Sequence, residues 1–288
     1  GSFTGKTVVD PLRKSMGDQG LIYINYFAAI MTLLALIAVF FFYKSTKTEG
    51  QGKSFAEIGS GLLKVLGNGR LIILILIISG FWMIQSQMYA TMPKYVIRMI
   101  GADASPGWYA NVNPLVVFVL VNFITSFMKK RTALTSMTIG MLIIPLSALV
   151  MSFGSQIGTD YVLGLHPVAF MMIIGIAMQA VAECFISPRF LEFFSLQSPK
   201  GEEGLYLGFS HLHSFISYLF AFGLSGFLLD KYCPDPRNFS STEAYTAATQ
   251  HAHYIWYVFV AIGLISAVAL LTYGYVTRRI DKKKLPLN

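Results

Sequence analysis

The feature that most constrains the fold of this chain is a series of long apolar runs. Each run is close to the ~20 residues that cross a bilayer as a helix. Seven of them recur along the 288 residues, over 21–43, 71–95, 108–128, 132–153, 167–191, 205–229 and 253–276. Only 12% of the residues are charged, whereas a soluble domain is nearer ~25%. A large soluble protein with buried helices is excluded, since so many apolar runs lack polar partners. The sequence therefore predicts an all-α polytopic membrane protein.

Positive charge, formally +8 at pH 7, is concentrated in alternate connections between the runs. Basic residues cluster at 44–70, at 129–131 and in the tail at 278–284. The connection at 154–166 has no Lys or Arg, and those at 96–107 and 230–252 balance basic residues with acidic ones. This alternation is the positive-inside pattern, which places the basic connections in the cytoplasm. It predicts a multi-pass protein of the plasma or inner membrane rather than a nucleic-acid-binding protein.

The two cysteines fall in different environments. Cys184 lies within a span and Cys233 in a connection on the outer side, so we expect no disulfide between them. Cys233 is predicted to react with thiol reagents from outside the cell. The chain contains neither a CxxC nor an HExxH motif, so no metal or other cofactor is predicted.

The order of the segments predicts how the chain is organised. We expect partial N-terminal-half helices at 1–43, a cytoplasmic linker with an amphipathic helix at 44–70, a six-helix transmembrane bundle at 71–277 and a basic cytoplasmic tail at 278–288. Glycine and proline before the first run suit the outer end of a truncated helix, so the chain is expected to be a fragment. Six spans after a long basic linker suggest the second half of a twelve-helix transporter, built from inverted three-helix repeats.

Two further stretches carry recognisable spacing. In "GFWMIQSQMYATMPKYVIRMIG", Phe81 and Trp82 are followed by Gln87, five residues after the tryptophan. The next run contains "NVNPLVVFVL", in which Asn113 stands directly before Pro114. A third stretch, "AECFISPRFLEFFSLQSP", carries a glutamate, a Ser-Pro pair, a leucine and a later proline at Glu183, Ser187, Pro188, Leu191 and Pro199.

In this order the motifs over about 54–230 resemble the proton-dependent oligopeptide transporter family of the major facilitator superfamily. The resemblance implies the C-terminal six-helix bundle of that fold, with one or so preceding helices. It also implies proton-coupled symport of di- and tripeptides or similar solutes. Two departures bear on specificity: Ser86 stands where the family usually has an acid, and the family's first-helix motif would lie in a part that this chain lacks.

Glu183 is the leading candidate for substrate binding and proton coupling. Even lenient insertion scales assign ~2.5–3.5 kcal/mol to an Asp or basic group at mid-helix, so a carboxyl group in an apolar run needs a reason. Gln179, Glu183 and Ser187 are spaced i, i+4 and i+8, which predicts one polar stripe on one helix face. Such a stripe suits a helix that lines a cavity. The alternative is a neutral acid that hydrogen-bonds to a helix carbonyl and serves only the structure.

Other polar residues in the spans have both a structural and a functional interpretation. We expect Trp82, Gln85, Ser86 and Gln87 to line the substrate pocket. Asn113 could cap backbone groups at the helix start or face the substrate. His213, or its neighbour His211, could relay protons or act as an interfacial hydrogen-bonding residue. Trp256 is predicted to be an anchor at the membrane interface.

Secondary active transport of a small polar solute with protons is the leading functional hypothesis. It requires substrate, protons, the lipid bilayer and a second half, in the same or a separate chain, as partners. The alternative is a structural or partner-binding membrane subunit of transporter ancestry that does not transport. Enzyme activity is not predicted, because no nucleophile–base pair or paired acids occur on facing spans.

Overall fold

The computed structural model describes residues 15–16, 20–43, 54–101, 104–158 and 161–284. The helices are numbered here in chain order, with α1–α7 at Gly20–Phe42, Phe55–Leu66, Gly69–Gln85, Gln87–Ala90, Met92–Ile100, Pro106–Ala110 and Val112–Met128. The helices α8–α13 are Ala133–Ser152, Pro167–Gln197, Glu203–Ser210, Leu212–Tyr232, Thr242–Thr249 and Tyr254–Lys284. Single turns of 3-10 helix lie at Phe153–Ser155 and Pro236–Asn238. The described residues include an isolated bridge between Val162 and Leu165 but no β-strand.

Seven helical segments of the described residues are long and apolar enough to cross a membrane. They are Asn25–Phe42, Gly69–Ala90, Pro106–Met128, Ala133–Ser155, Pro167–Gln197, Glu203–Tyr232 and Thr242–Lys282. The prediction of an all-α polytopic membrane protein is confirmed. The fifth segment continues past the predicted end at residue 191 to Gln197, because the chain stays helical through Pro188.

The chain separates into two compact units, 1–57 and 58–288. In the first unit, α1 carries no charged residue between Gly20 and Phe42. Its side chains are exposed wherever they are described, which suits a helix surrounded by lipid. Residues 44–53 of the predicted linker at 44–70 and residues 285–288 of the predicted basic tail lie outside the described residues.

Close approach of helices through small residues organises the second unit. A Cβ added to Gly140 of α8 would lie 2.6 Å from the Ala182 carbonyl oxygen of α9. A hydrogen bond crosses the same interface, from the Ser136 hydroxyl to the Phe185 carbonyl oxygen at 2.7 Å. Helices in membranes associate through such packing and such polar contacts, because lipid tails are as apolar as the side chains.

The second spanning segment, Gly69–Ala90, consists of α3 and α4, and α5 follows directly after Thr91. The breaks fall at Ser86 and Thr91, and Pro93 follows in the first turn of α5. Broken helices at membrane depth are tolerated where protein or a cavity re-satisfies the freed backbone groups. At the first break the side chains of Gln85, Ser86 and Gln87 are all buried in the protein.

Trp256 is fully buried, so its predicted role as an interface anchor is wrong. Its ring packs edge-on against Tyr95 of α5, with ring centroids 5.4 Å apart, and lies 6.1 Å from the Phe259 ring. Position near the end of an apolar run did not distinguish a lipid-facing indole from one between two helices.

Cys233 is also fully buried, which contradicts its predicted reactivity from outside. Its carbonyl oxygen accepts a hydrogen bond from Arg98 Nη1 at 2.6 Å, which ties the end of α11 to α5. Burial raises the pKa of the Cys233 thiol to about 12, so the reactive thiolate is scarce at neutral pH. Nearby, hydrogen bonds from Arg237 hold the pKa of Asp235 well below its ordinary range.

The predicted orientation is therefore better tested at Asn238, which is exposed in the same connection. In intact cells, Asn238→Cys is expected to react with a membrane-impermeant maleimide, because positive-inside charge places this connection outside. The parent, whose cysteines are both buried, is the control and should remain unlabelled. Labelling of Asn238→Cys only after permeabilisation would show that the orientation is opposite to the predicted one.

Candidate functional site

Three helices bring polar side chains together around Glu183 of α9. Glu183 Oε2 accepts a hydrogen bond from Gln85 Nε2 at 2.8 Å and another from Asn113 Nδ2 at 3.1 Å. Gln85 is the last residue of α3, and Asn113 lies in the first turn of α7. We call Glu183, Gln85 and Asn113 the Glu183 cluster. Two of the predicted pocket residues are thus the direct partners of the predicted acid.

Local sequence explains why each amide reaches the carboxyl group. Gln85 is the last residue of α3, and its buried side chain reaches Glu183 of α9. Asn113 precedes Pro114 in the opening turn of α7. Its amide donates to Glu183, and the residue at the N-cap position of α7 is Asn111. Of the two interpretations of Asn113, the structure therefore shows the side chain directed at Glu183.

The two carboxylate oxygens of Glu183 have different surroundings. Both amide hydrogen bonds reach Oε2, and no protein donor to Oε1 occurs among the described residues. Ion pairs in this part of the chain join Arg70, Arg98, Arg189 and Arg237 to other acids, and none reaches Glu183. The side chain is half-buried rather than enclosed. Glu183 is therefore an acid held by one oxygen, with the other available to a proton or a cationic group.

The predicted stripe along α9 is divided between two environments. Gln179 is fully buried, and its amide nitrogen contacts the Met151 sulfur of the 133–152 helix at 4.0 Å. It therefore faces α8 rather than the Glu183 cluster. Ser187 is half-buried, one turn from Glu183 on the other side. The structure brings neither Gln179 nor Ser187 into hydrogen-bonding contact with Glu183.

Ser86 and Gln87 serve the break in the second span. The Ser86 hydroxyl and the Gln87 amide nitrogen both donate to the Met83 carbonyl oxygen. Gln87 Oε1 accepts from Thr91, whose hydroxyl also lies 2.7 Å from the Ser225 hydroxyl of α11. The Gln87–Thr91–Ser225 chain links the second span to α11. Thr91 and Ser225 were not predicted, because a single hydroxyl in an apolar helix gives no sign of its partner.

His213 lies in an aromatic cluster beside the Glu183 cluster. Its ring is 5.2 Å from the Trp82 ring and 5.1 Å from the Phe190 ring, centroid to centroid. One ring nitrogen contacts the Ser210 carbonyl oxygen, and the other lies 3.1 Å from the Ser214 hydroxyl. Phe190 is seven residues after Glu183, about 10 Å along the helix at ~1.5 Å per residue. No described hydrogen bond connects His213 to Glu183.

Comparison with known families agrees with the motifs in this region. The sequence matches the family model of the POT family (PTR2) over residues 64–235, more than half of the chain and all of the Glu183 cluster. The chain belongs to the POT family. No curated protein matches it. POT family proteins are transporters, and membership implies proton-coupled peptide transport in general terms. With seven spanning segments, this POT family protein is a multi-pass membrane protein.

Proposed function

We propose that this POT family protein is a proton-coupled symporter of small polar solutes, with di- and tripeptides or similar molecules as its substrates. The observation that carries the proposal is the asymmetry of Glu183. Two amides donate to Oε2, while Oε1 has no donor among the described residues. A positively charged amino group or a proton can occupy that oxygen.

Competition between these two occupants supplies the coupling. A carboxylate attracts a substrate ammonium group through a charge-assisted hydrogen bond, whereas the protonated acid does not. The amides of Gln85 and Asn113 keep the carboxyl group in one position whichever occupant is bound. Transfer of one elementary charge across the membrane is worth ~2.3 kcal/mol per 100 mV. A hydrogen bond to a charged group contributes a similar ~1.5–3 kcal/mol, so one proton can drive release of the amine.

The residues around the Glu183 cluster have supporting roles in the proposed transport mechanism. Trp82 and Ser187 flank the cluster along α3 and α9, and we assign them to the walls of the substrate pocket. Gln87 and Ser86 maintain the helix break that positions Gln85. Gln179 supports the pocket from behind, through α8. His213 lies within the aromatic cluster, and its part in proton coupling is secondary to that of Glu183.

A second bundle of helices is proposed to complete the site. In secondary transporters the substrate site lies near the midplane between two halves, which move against each other to alternate access. Here Glu183 is half-buried with one open oxygen, as expected of one wall of such a site. The opposite wall, in the same or a separate chain, would supply cations for the substrate carboxylate. The plasma or inner membrane would provide the proton gradient.

Solute uptake by the full-length protein tests the proposal. Purified protein in proteoliposomes with an inward proton gradient is expected to accumulate a dipeptide with a free amino group. Accumulation should collapse with a protonophore, and the N-acetylated dipeptide should accumulate poorly. Equal uptake of the two dipeptides would contradict amine recognition, and uptake insensitive to the protonophore would contradict proton coupling.

The alternative of a non-transporting subunit is favoured by one observation, Ser86, which hydrogen-bonds within its own helix where related transporters carry an acid. A panel of peptides tested for binding and transport distinguishes this alternative, which predicts a stable protein that neither binds nor transports any of them. Binding of a free-amine dipeptide would exclude it.

Asn113 offers a graded test of the Glu183 cluster. Asn113→Ala removes one of the two donors to Oε2. The ionised carboxylate, which binds the amine, then becomes less stable relative to the protonated acid, which does not. We expect binding of a free-amine dipeptide to weaken about fivefold to tenfold, the equivalent of about 1–1.4 kcal/mol. Asn122→Ala, at an exposed position of the same helix, is the matched control and should bind as the parent does. Equal losses in both variants would show a general effect on α7.

A further inference from the structure

A groove lies between α8 and α13, away from the Glu183 cluster. Its volume is about 350 Å³. We call it the α8–α13 groove; its lining residues are Leu134, Thr135, Thr138, Ile139, Leu270, Leu271, Gly274, Tyr275 and Arg278. The groove is independent of the proposed transport function, because it shares no residue with the Glu183 cluster.

The chemistry of the groove changes along its length. Four aliphatic side chains line it, from Leu134 and Ile139 on α8 and from Leu270 and Leu271 on α13. Thr135, in the first turn of α8, and Arg278, near the end of α13, mark the same end of the groove. Gly274 lies between, and a Cβ added there would meet nothing within 4 Å. An apolar slot thus opens towards a cation and a hydroxyl.

Positive charge is concentrated at that end. Lys129, Lys130 and Arg131 immediately precede α8 and are all exposed. Arg278 and Arg279 are exposed on α13. The Thr132 side chain accepts from the Thr135 N–H at 3.2 Å, so the first turn of α8 adds its remaining backbone N–H groups, and helix N-termini attract anions. Under the positive-inside pattern this end faces the cytoplasmic leaflet, where anionic lipids attract basic juxtamembrane segments.

We propose that the α8–α13 groove binds an anionic phospholipid of the cytoplasmic leaflet. One acyl chain lies along the aliphatic part of the groove, and the phosphate contacts Arg278 and the hydroxyl-bearing start of α8. Guanidinium groups suit this role because their planar donors match phosphate oxygens. Basic pockets between spans on the cytoplasmic side are a recognised form of lipid headgroup site.

Charge and surroundings favour a lipid over other occupants. The helices around the groove present exposed apolar residues to their surroundings, including Leu142 and Leu146 on α8 and Val268 on α13. A bilayer therefore already surrounds the slot. A second copy of this surface would bring the same cations face to face.

Binding of defined lipids to the purified full-length protein in a neutral detergent tests the proposal. Short-chain phosphatidylglycerol is expected to bind more tightly than phosphatidylcholine with the same chains. Arg278→Gln should weaken phosphatidylglycerol binding about fivefold, since one basic residue near the surface contributes an effect of that size. Phosphatidylcholine binding should not change. Lys231→Gln is the matched control, because it removes one exposed cation from the opposite end of the bundle.

A second variant fills the slot without removing charge. Gly274→Leu should abolish the preference for phosphatidylglycerol while the protein stays folded, because the position is open and leucine favours helix more than glycine does. Glycerol phosphate distinguishes the source of the anion and should not compete. Equal binding of the two lipids, equal losses in Arg278→Gln and Lys231→Gln, unchanged preference in Gly274→Leu, or full competition by glycerol phosphate would each overturn the proposal.

Discussion

Replacing Glu183 with Gln in the full-length protein is expected to reduce proton-driven accumulation of amine-bearing solutes by at least about tenfold. That factor is the equivalent of about 1.4 kcal/mol, less than the ~1.5–3 kcal/mol of a hydrogen bond to a charged group. The variant cannot present a carboxylate to the substrate amine, and it cannot take up the proton that displaces that amine. Solutes without a free amine should be affected least. Initial uptake rates and steady-state accumulation in proteoliposomes measure both effects.

The structure explains why Glu183→Gln should fold. Both hydrogen bonds in the Glu183 cluster end on a single oxygen, Oε2. The amide oxygen of Gln can accept from Gln85 and Asn113 in the same way, so neither donor loses its partner. Surface expression and melting temperature should therefore remain close to those of the parent. Glu243→Gln, at an exposed position in the connection that the charge pattern predicts to be outside, is the matched control. If Glu183→Gln accumulates amine-bearing solutes as well as the parent does, Glu183 is a structural acid.

A large effect on stability is expected at Gly80, which precedes the pocket residues of α3. A Cβ at this position would lie 1.9 Å from the Ser266 hydroxyl oxygen and 2.9 Å from the Ser266 Cβ. Rotation of the hydroxyl removes the first clash but not the second, because the Cβ is fixed by the backbone. We expect Gly80→Ala to lower the free energy of unfolding by about 1–3 kcal/mol, the usual cost of overpacking. Thermal unfolding in detergent measures the loss.

A compensating variant distinguishes this clash from a general effect of alanine. Ser266→Gly removes both clashing atoms, and the next nearest atom to the new methyl group is Ile262 Cγ2, in ordinary contact at 3.9 Å. The double variant should recover most of the lost stability. Gly274→Ala is the control on the same helix as Ser266, and it should be neutral or stabilising because its position is open. A stable Gly80→Ala protein would contradict the close packing of α3 against α13.

Features of the fold that depend on a continuous stretch of sequence could be predicted, whereas those that depend on contacts between distant residues could not. The spans could be predicted because each is a continuous run of about 20 apolar residues, a signal that needs no knowledge of neighbours. Trp256 and Cys233 could not, because an interfacial tryptophan and a buried one occupy the same place in a run. Their burial depends on Tyr95 and Arg98, which belong to a distant helix.

In the candidate site, too, the sequence identifies single residues but not the contacts between helices. Glu183 stands out in the sequence because a carboxyl group at membrane depth is costly. Gln85 and Asn113 were predicted as pocket residues, but their shared contact with one carboxylate oxygen depends on the meeting of three helices. Gln179 has the spacing of a stripe with Glu183, yet it points to Met151. A step of four residues on a helix turns the side chain by about 40°, enough here to place the two residues on different neighbours.

The most direct test of the central claim, that Glu183 binds the amino group of the substrate, is a binding cycle on the full-length protein. Dissociation constants are measured by calorimetry for a dipeptide and its N-acetylated form, each with the parent and with Glu183→Gln. We predict that acetylation weakens binding to the parent at least about tenfold more than it weakens binding to the variant, a coupling of about 1.4 kcal/mol. Equal effects of acetylation on the two proteins would show that the amine binds elsewhere.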